Sequence, residues 1–193
     1  MMNKKIEITD TKILSSSYYT LKKVTYNYLD SKGRVLSHSR EVYDRGNGAG
    51  VLLYNKEKGR VLLVKQFRMP TYLNGNEDGM LIEVCAGLLD EADPDACIIR
   101  EIKEETGYEV GEVQRVYESY MSPGVVTELL YLYVAAYDER MKKGEGGGVA
   151  DEQEDIELLE LSMDEAMQMV RTGGIRDAKT IMLLQYAYIN KLL

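Results

Sequence analysis

The 193-residue chain has little of what several protein classes require. It carries two cysteines, Cys85 and Cys97, each in an apolar context. A disulfide framework needs more cysteines and a secretory leader, so buried reduced thiols are the expectation. The opening residues, MMNKKIEITD, contain no apolar segment of the kind a secretory signal needs. No apolar run approaches the ~18 residues that cross a bilayer. These absences point to a cytoplasmic protein without a membrane partner. Positive charge is also short: 24 Lys and Arg face 32 Asp and Glu, a net charge of −8. No basic stripe or aromatic platform offsets it, which argues against a nucleic-acid partner. No internal repeat is visible.

What is present suits one domain with, at most, a small appended element. Hydrophobic residues make up 45% and charged residues 29%, the balance of an ordinary protein with a buried core. Residues 5–45 alternate in strand fashion as KIEITDTKIL, YYTLKKVTYNYL and RVLSHSREVY, with a DSKG turn before the last. A β unit of that size is not stable alone and must pack on something. GVLLY (50–54) and VLLVKQF (61–67) flank an NKEKGR turn and read as a hairpin. MLIEVCA (80–86) reads as one strand, and VQRVYESY and ELLYLYVAAY as two more around an SPG turn. The polar stretch 138–155 contains Gly146, Gly147 and Gly148 and reads as a long mobile loop, a length that tends to be functional. After IELLEL (156–161), Ser162 and Glu165 have capping-box spacing and open a helix that stops near Gly173 and Gly174. A last helix starts at about Asp177 and runs to the C-terminus. The expected fold class is α/β (α+β): a mixed sheet with helices outside over 46–193, and an antiparallel β element over 1–45.

The densest chemistry lies in residues 86–108, AGLLDEADPDACIIREIKEETGY. Pro94 suits the first helical position, with Asp93 as its cap. On an α-helix, Glu101, Glu104 and Glu105 then project to roughly one side, while Ile98, Ile99 and Ile102 anchor an adjacent sector to a core. Thr106 and Gly107 read as a helix stop, so the acids crowd the end where the helix dipole is negative. Like charges at this spacing cost about 0.2–0.5 kcal/mol per pair. A broken local rule of this kind usually marks a functional site. A hard divalent cation with oxygen ligands, Mg²⁺ above all, is the simplest compensation. The bland reading is a solvated acidic helix face.

That run resembles the Nudix box, the signature of hydrolases that cut nucleoside diphosphates linked to another group. Gly87, Arg100, Glu101, Ile102, Glu104, Glu105, Gly107 and Tyr108 match its pattern. The segment between Gly87 and Arg100 is one residue shorter than usual, and the box's isolated early glutamate has no counterpart, Glu91 and Asp93 being the nearest acids. YDRGNGAGVLLYN (43–55), KQFR (65–68), YLNGNEDG (72–79), YMSPGVVTELLYLYVAAY (120–137), GGGVADE (146–152) and IRDAKT (175–180) are similar to the ADP-ribose pyrophosphatase-like group of that family. The resemblance covers essentially the whole chain. It implies an α/β/α sandwich, Mg²⁺ as cofactor, and a homodimer in which the N-terminal sheet reaches the partner's active site. It also implies hydrolysis of a nucleotide-sugar pyrophosphate bond. GDP-mannose, giving GMP and mannose 1-phosphate, is the leading substrate. ADP-ribose, giving AMP and ribose 5-phosphate, is the alternative substrate, and a non-catalytic nucleotide-sugar sensor the alternative outside enzymes.

Carried onto this sequence, the resemblance makes the Ala86 carbonyl, Glu101, Glu105 and Glu152 metal ligands, with Glu104 completing the cluster directly or through water. Arg100 would orient Glu104 at i+4. The general base is Glu152, with Glu154 close behind; their bland reading is a solvated acidic loop. His38, the one histidine, does not compete and is expected to be structural or on a dimer surface. Arg40 and Arg68 are phosphate forks, since guanidinium meets phosphate oxygens bidentately. Lys179 would place a point charge on the sugar phosphate, Tyr18 would stack on the base, and Glu128 would accept from sugar hydroxyls or a base edge. Glu41, Gly87, Leu88 and Asp151 complete the substrate set. Arg45 reads instead as structural, holding the turn before the first core strand.

Overall fold

The computed structural model describes residues 6–89, 93–148 and 155–193. The chain divides into two compact units, Met1–Asn47 with Tyr120–Leu129, and Gly48–Ser119 with Leu130–Leu193.

In the first unit, β1 (Ile6–Ser16), β2 (Thr20–Leu29) and β3 (Val35–Asp44) form an antiparallel sheet in that order. The turn before β3 closes on the Asp30 carboxylate, which accepts from the backbone N–H of Lys32 (2.8 Å) and Arg34 (2.9 Å). Gly33, at φ +77°, supplies the left-handed residue that this turn needs. β1 is exposed throughout, including Ile6, Ile8 and Ile13. Residues 120–129 strap the end of β3: Tyr43 N–H donates to Val125 O (2.8 Å) and Thr127 N–H to Tyr43 O (3.1 Å). Nothing in the sequence signals that this later segment joins the N-terminal unit.

The second unit is built on a seven-stranded mixed sheet. β10 (Glu157–Ser162), β5 (Arg60–Phe67), β4 (Gly48–Asn55), β9 (Leu129–Ala136) and β8 (Gln114–Tyr120) lie in that order, and β4 runs parallel to β9. The reading of 80–86 as one strand needs correction. It divides into β6 (Met80–Glu83), which pairs with β5, and β7 (Cys85–Leu88), which pairs with β4. Val84 lies at the change of partner, and its N–H finds the Thr180 hydroxyl at 2.8 Å instead of a ladder bond. A short helix, α1 (Met69–Leu73), with Pro70 in its first turn, follows β5 and carries no pattern that the sequence reading used.

Both faces of this sheet are covered, as an α/β sandwich requires. Val51, Leu53, Leu62, Val64, Tyr133 and Ala135 pack with Ile98 and Ile102 from the acidic helix. Alternation sends Leu52, Leu63 and Leu132 the other way. There α3 (Met163–Thr172) packs on β5 and α4 (Ala178–Ile189) on β4, burying Ala166, Leu183, Leu184 and Ala187. Each fully buried aliphatic side chain of this kind contributes about 1.5–3 kcal/mol relative to exposure. The α3 start has the expected capping box, with Ser162 and Glu165 bonded reciprocally, and Gly173 stops it at φ +79°. Cys85 and Cys97 are both buried. No helix among the described residues is long and apolar enough to cross a membrane.

Candidate active site

The acidic segment opens as α2 (Pro94–Glu101), with Pro94 in its first turn and Asp93 capping Asp95 N–H at 3.1 Å. The Tyr133 hydroxyl, from β9, donates to the Asp95 carboxylate at 2.5 Å. Burial first, then this bond to an anion, pushes the Tyr133 phenol well above its ordinary range. Cys97 Sγ donates to Leu88 O at 3.3 Å, tying α2 to the end of β7. Ile98 and Ile102 have no exposed surface, and Ile99 packs against the same core.

After Glu101 the α-helix does not continue. Residues Ile102–Thr106 form a π-helical turn, ended by Gly107 at φ +74°. Such single wide turns recur at functional sites. The change corrects the expectation that Glu101, Glu104 and Glu105 lie on one regular α-helical turn. The three carboxylates divide between Arg100, shared by Glu101 and Glu104, and the β7 backbone, met by Glu105. Glu101 takes Arg100 Nη2 at 3.2 Å, Glu104 lies 3.7 Å from Arg100 Nε, and Glu105 accepts the Ala86 N–H at 3.3 Å. Among the described residues, no three acidic, histidine or cysteine side chains are arranged to hold a metal ion.

Two of the three acids nonetheless meet the same stretch of β7. Glu105, with 1% of its surface exposed, bonds to Ala86. Glu101 occupies the space in front of Gly87, where any Cβ would overlap its carboxylate. Gly87 is thus a cradle for a carboxylate. Across the sheet, a Cβ placed on Gly50 would stand 3.6 Å from both Ala86 Cβ and Lys179 Cδ, so the lysine stem passes beside the same strand. The donors gathered around Ala86 and Gly87 are two carboxylates and a peptide, an all-oxygen set that suits a hard divalent cation.

The end of this helix answers the dipole problem posed by the sequence. Gly147 N–H donates to Glu105 O (2.8 Å), Gly148 N–H to Glu104 O (3.2 Å), and Lys142 Nζ to Thr106 O (3.4 Å). Carbonyls that a helix terminus leaves unsatisfied therefore receive donors from residues 142–148. Gly146, Gly147 and Gly148 have φ of +74°, +101° and +84°, and a Cβ on Gly146 would stand 2.6 Å from Thr106 C. This part of the expected mobile loop is packed against the acidic turn because only glycine can approach it. Glu152, Glu154 and Asp151 lie outside the described residues.

Arg68 and Lys179 meet at a residue the sequence reading did not single out. Glu83, 4% exposed, accepts Arg68 Nε at 2.8 Å and Lys179 Nζ at 2.9 Å. Lys179 also contacts Asp177 at 3.1 Å. Burial favours the neutral acid at Glu83, but Lys179 and then Arg68 outweigh it and hold the carboxyl below its ordinary range. Burial likewise favours neutral Lys179, but Glu83 and Asp177 keep its pKa raised. The signal available in the sequence was a lone acid inside an apolar strand, MLIEVCA. Lys179, expected to place a point charge on the sugar phosphate, therefore sits in an ion-pair network with Glu83 and Asp177.

The remaining candidates belong to the first unit. Tyr18 is 85% exposed and meets Tyr19 edge-on at 4.8 Å. Glu41 is exposed on β3. Arg40 donates to Ser39 O at 2.9 Å and, with Ile6, Tyr26, Tyr28 and His38, lines a shallow groove of about 290 Å³. His38 lies against Tyr28 at 5.3 Å and Tyr26 at 6.1 Å between ring centroids. Glu128, expected to meet substrate, is 3.5 Å from Arg45, whose guanidinium lies over the Tyr19 ring.

A family model for the NUDIX domain matches residues 44–184. The chain belongs to the NUDIX family. A second model, described as the GDP-mannose pyrophosphatase NudK N-terminal domain, matches residues 5–43. Proteins named GDP-mannose pyrophosphatase from Citrobacter koseri and Salmonella arizonae are each 53% identical to it over 192 residues, covering all of both chains. The protein of that name from Escherichia coli O1:K1 / APEC is 52% identical over the same length. The NUDIX match spans the sheet, the acidic turn and Lys179, so the geometry above belongs to a hydrolase fold.

Proposed function

We propose that this chain is a Mg²⁺-dependent nucleotide-sugar pyrophosphatase that hydrolyses GDP-mannose to GMP and mannose 1-phosphate, acting in the cytoplasm as a homodimer. The observation that carries the reading is identity above 50% to GDP-mannose pyrophosphatases along the full length of both chains, N-terminal unit included. In the reaction, water adds across the P–O–P bridge: one P–O bond forms, one breaks, and a proton passes to a base. Glu101 and Glu105, with the Ala86 carbonyl and Glu152, would hold Mg²⁺, for which the carboxylates meeting β7 at Ala86 and Gly87 are suited. Bound there, the ion neutralises phosphate oxygens and acidifies a water.

The protein's own groups then have distinct tasks. Arg100 contacts both Glu101 and Glu104 and fixes their orientation. Arg68 keeps Nη1 without a partner among the described residues, available to a phosphate oxygen, and Lys179 adds charge close to Ala86. These cations offset the net charge of −8, which repels an anionic substrate at long range. Glu152 is the general base, with Glu154 the alternative. Leu88 and Asp151 contact substrate, and Tyr18, Arg40, Glu41 and Glu128 serve it from the N-terminal unit. The dimer reading is supported by Ile6, Ile8 and Ile13, which are 59–66% exposed on one face of the small sheet, an apolar surface of the kind a second copy covers.

A product assay with GDP-mannose and ADP-ribose at equal concentration, with and without Mg²⁺, tests the proposal. GMP and mannose 1-phosphate should form preferentially and only with the ion. Comparable turnover of ADP-ribose would overturn the substrate assignment.

A further inference from the structure

We propose that Glu83 is a positioning residue for this reaction: a buried carboxylate that aims Arg68 and Lys179 at the diphosphate of the substrate. The inference rests on the reading above, in which both cations meet substrate, and deepens it.

Glu83 is the last residue of β6, directly before the strand changes partner, and 4% of its surface is exposed. A carboxylate so buried is unfavourable unless paired. Its two oxygens are divided between two cations from distant parts of the chain. Oε2 takes Arg68 through Nε (2.8 Å) and Nη2 (2.6 Å), and Oε1 takes Lys179 Nζ (2.9 Å). Asp177 does not relieve Glu83 of the lysine. Its Oδ2 is already shared by Thr180 N–H (3.0 Å), Thr180 Oγ1 (2.5 Å) and Lys179 (3.1 Å). Thr180 Oγ1 in turn receives Val84 N–H at 2.8 Å. Glu83, Val84, Thr180, Asp177 and Lys179 thus close a ring that fixes where the carboxylate stands.

The consequence falls on Arg68. Its side chain is 40% exposed, so solvent would otherwise let it sample many rotamers. Held by the Nε–H bond and by the Nη2 ion-pair contact to the same carboxylate, the guanidinium has a fixed plane, and its remaining donors point one way. A fork ordered before substrate arrives loses less entropy on binding. A residue with this role affects how well the diphosphate is held more than how fast the bound substrate reacts.

Steady-state kinetics of the full-length protein on GDP-mannose at saturating Mg²⁺ test this, using Glu83→Gln, Arg68→Ala, Arg68→Lys and the double variant Glu83→Gln/Arg68→Ala. Loss of one charge-assisted hold predicts a KM about tenfold higher in Glu83→Gln, with kcat within about twofold. Arg68→Ala should raise KM at least as far. In that background Glu83→Gln should raise KM by a smaller factor than it does alone, because the Arg68 share of its effect is already lost and only the Lys179 share remains. Arg68→Lys keeps the charge but not the two-point hold, and should reproduce most of the Glu83→Gln effect. A wild-type KM in Glu83→Gln, or an equal factor in the Arg68→Ala background, would overturn the proposal. Should Glu83→Gln fail to fold, Arg68→Lys decides alone, and a wild-type KM there overturns it. If Arg68→Ala keeps the wild-type KM, Arg68 does not hold substrate and the proposal falls with that assignment. Failure of the functional reading itself shows separately, as no GMP from the wild-type protein.

Discussion

Replacing Gly87 by alanine would put a methyl group where the Glu101 carboxylate stands. The added Cβ would lie 2.6 Å from Glu101 Cγ and closer still to the carboxylate carbon and Oε1. A relaxed carbon pair needs about 3.5–4.0 Å, so the side chain must retreat by about 1 Å. A shift of about 1 Å in a reacting constellation costs on the order of 10²-fold in rate, or about 2.7 kcal/mol of transition-state stabilisation. Folding should survive. Gly87 lies in a strand with no left-handed backbone angle, and the atoms displaced belong to a side chain that can swing. Alanine there even removes about 0.4–1 kcal/mol of unfolded-state entropy. Gly111→Ala is the control, since nothing lies within 4 Å of its Cβ position. The assay is kcat/KM on GDP-mannose and the Mg²⁺ concentration for half-maximal rate, with Tm recorded alongside. Gly87→Ala at wild-type kcat/KM and Mg²⁺ requirement would refute the claim that this glycine exists to seat a metal ligand.

Three further outcomes follow from the same geometry. Gly146→Ala forces a left-handed residue at φ +74° against the Thr106 backbone, at a cost of at least about 1–2 kcal/mol; Tm should fall by about 2–4 °C per kcal/mol, and an unchanged Tm would contradict the close approach. Thr180→Val removes the hydroxyl that accepts the Val84 N–H, leaving a buried donor unmet, so denaturant titration should show a loss of about 1–3 kcal/mol. The Glu83 carboxyl is held below the ordinary glutamate value of 4.5, so its contribution to stability is complete above that pH and is lost as pH falls through the lower folded-state value. Unfolding midpoints between about pH 3 and 7 should therefore fall less steeply on acidification in Glu83→Gln than in the wild type, and equal slopes would sink the assignment.

Much of the fold is legible in the sequence because it depends on local chemistry. The cap at Asp93, the capping box of Ser162 and Glu165, and the left-handed stop at Gly173 each need only a few neighbouring residues. The mixed sheet with helices on both faces follows from strands whose alternate residues are all apolar. Three features depend on partners far along the chain and leave no local trace. The change of partner at Val84 needs Thr180, 96 residues away, to satisfy its N–H. The ion-pair network needs Lys179 to meet Glu83, at the same separation of 96 residues. The packing of Gly146, Gly147 and Gly148 onto the acidic turn needs the carbonyls of Glu104 and Glu105 to face them. Composition marks that stretch as a loop and says nothing of where it docks. The π-helical turn is hidden for a related reason: IKEET has ordinary α-helical character, and its end is set by Gly107 and by donors from residues 142–148.

GMP release by Glu105→Gln, compared with the wild type across a Mg²⁺ titration, tests most directly that the acidic turn holds the cation that makes hydrolysis possible. The variant keeps the shape of the side chain and can still accept the Ala86 N–H. With its fold intact by circular dichroism, it should lose on the order of 10²–10³-fold in rate at every Mg²⁺ concentration. A folded Glu105→Gln protein turning over GDP-mannose at the wild-type rate, with the wild-type dependence on Mg²⁺, would contradict that claim.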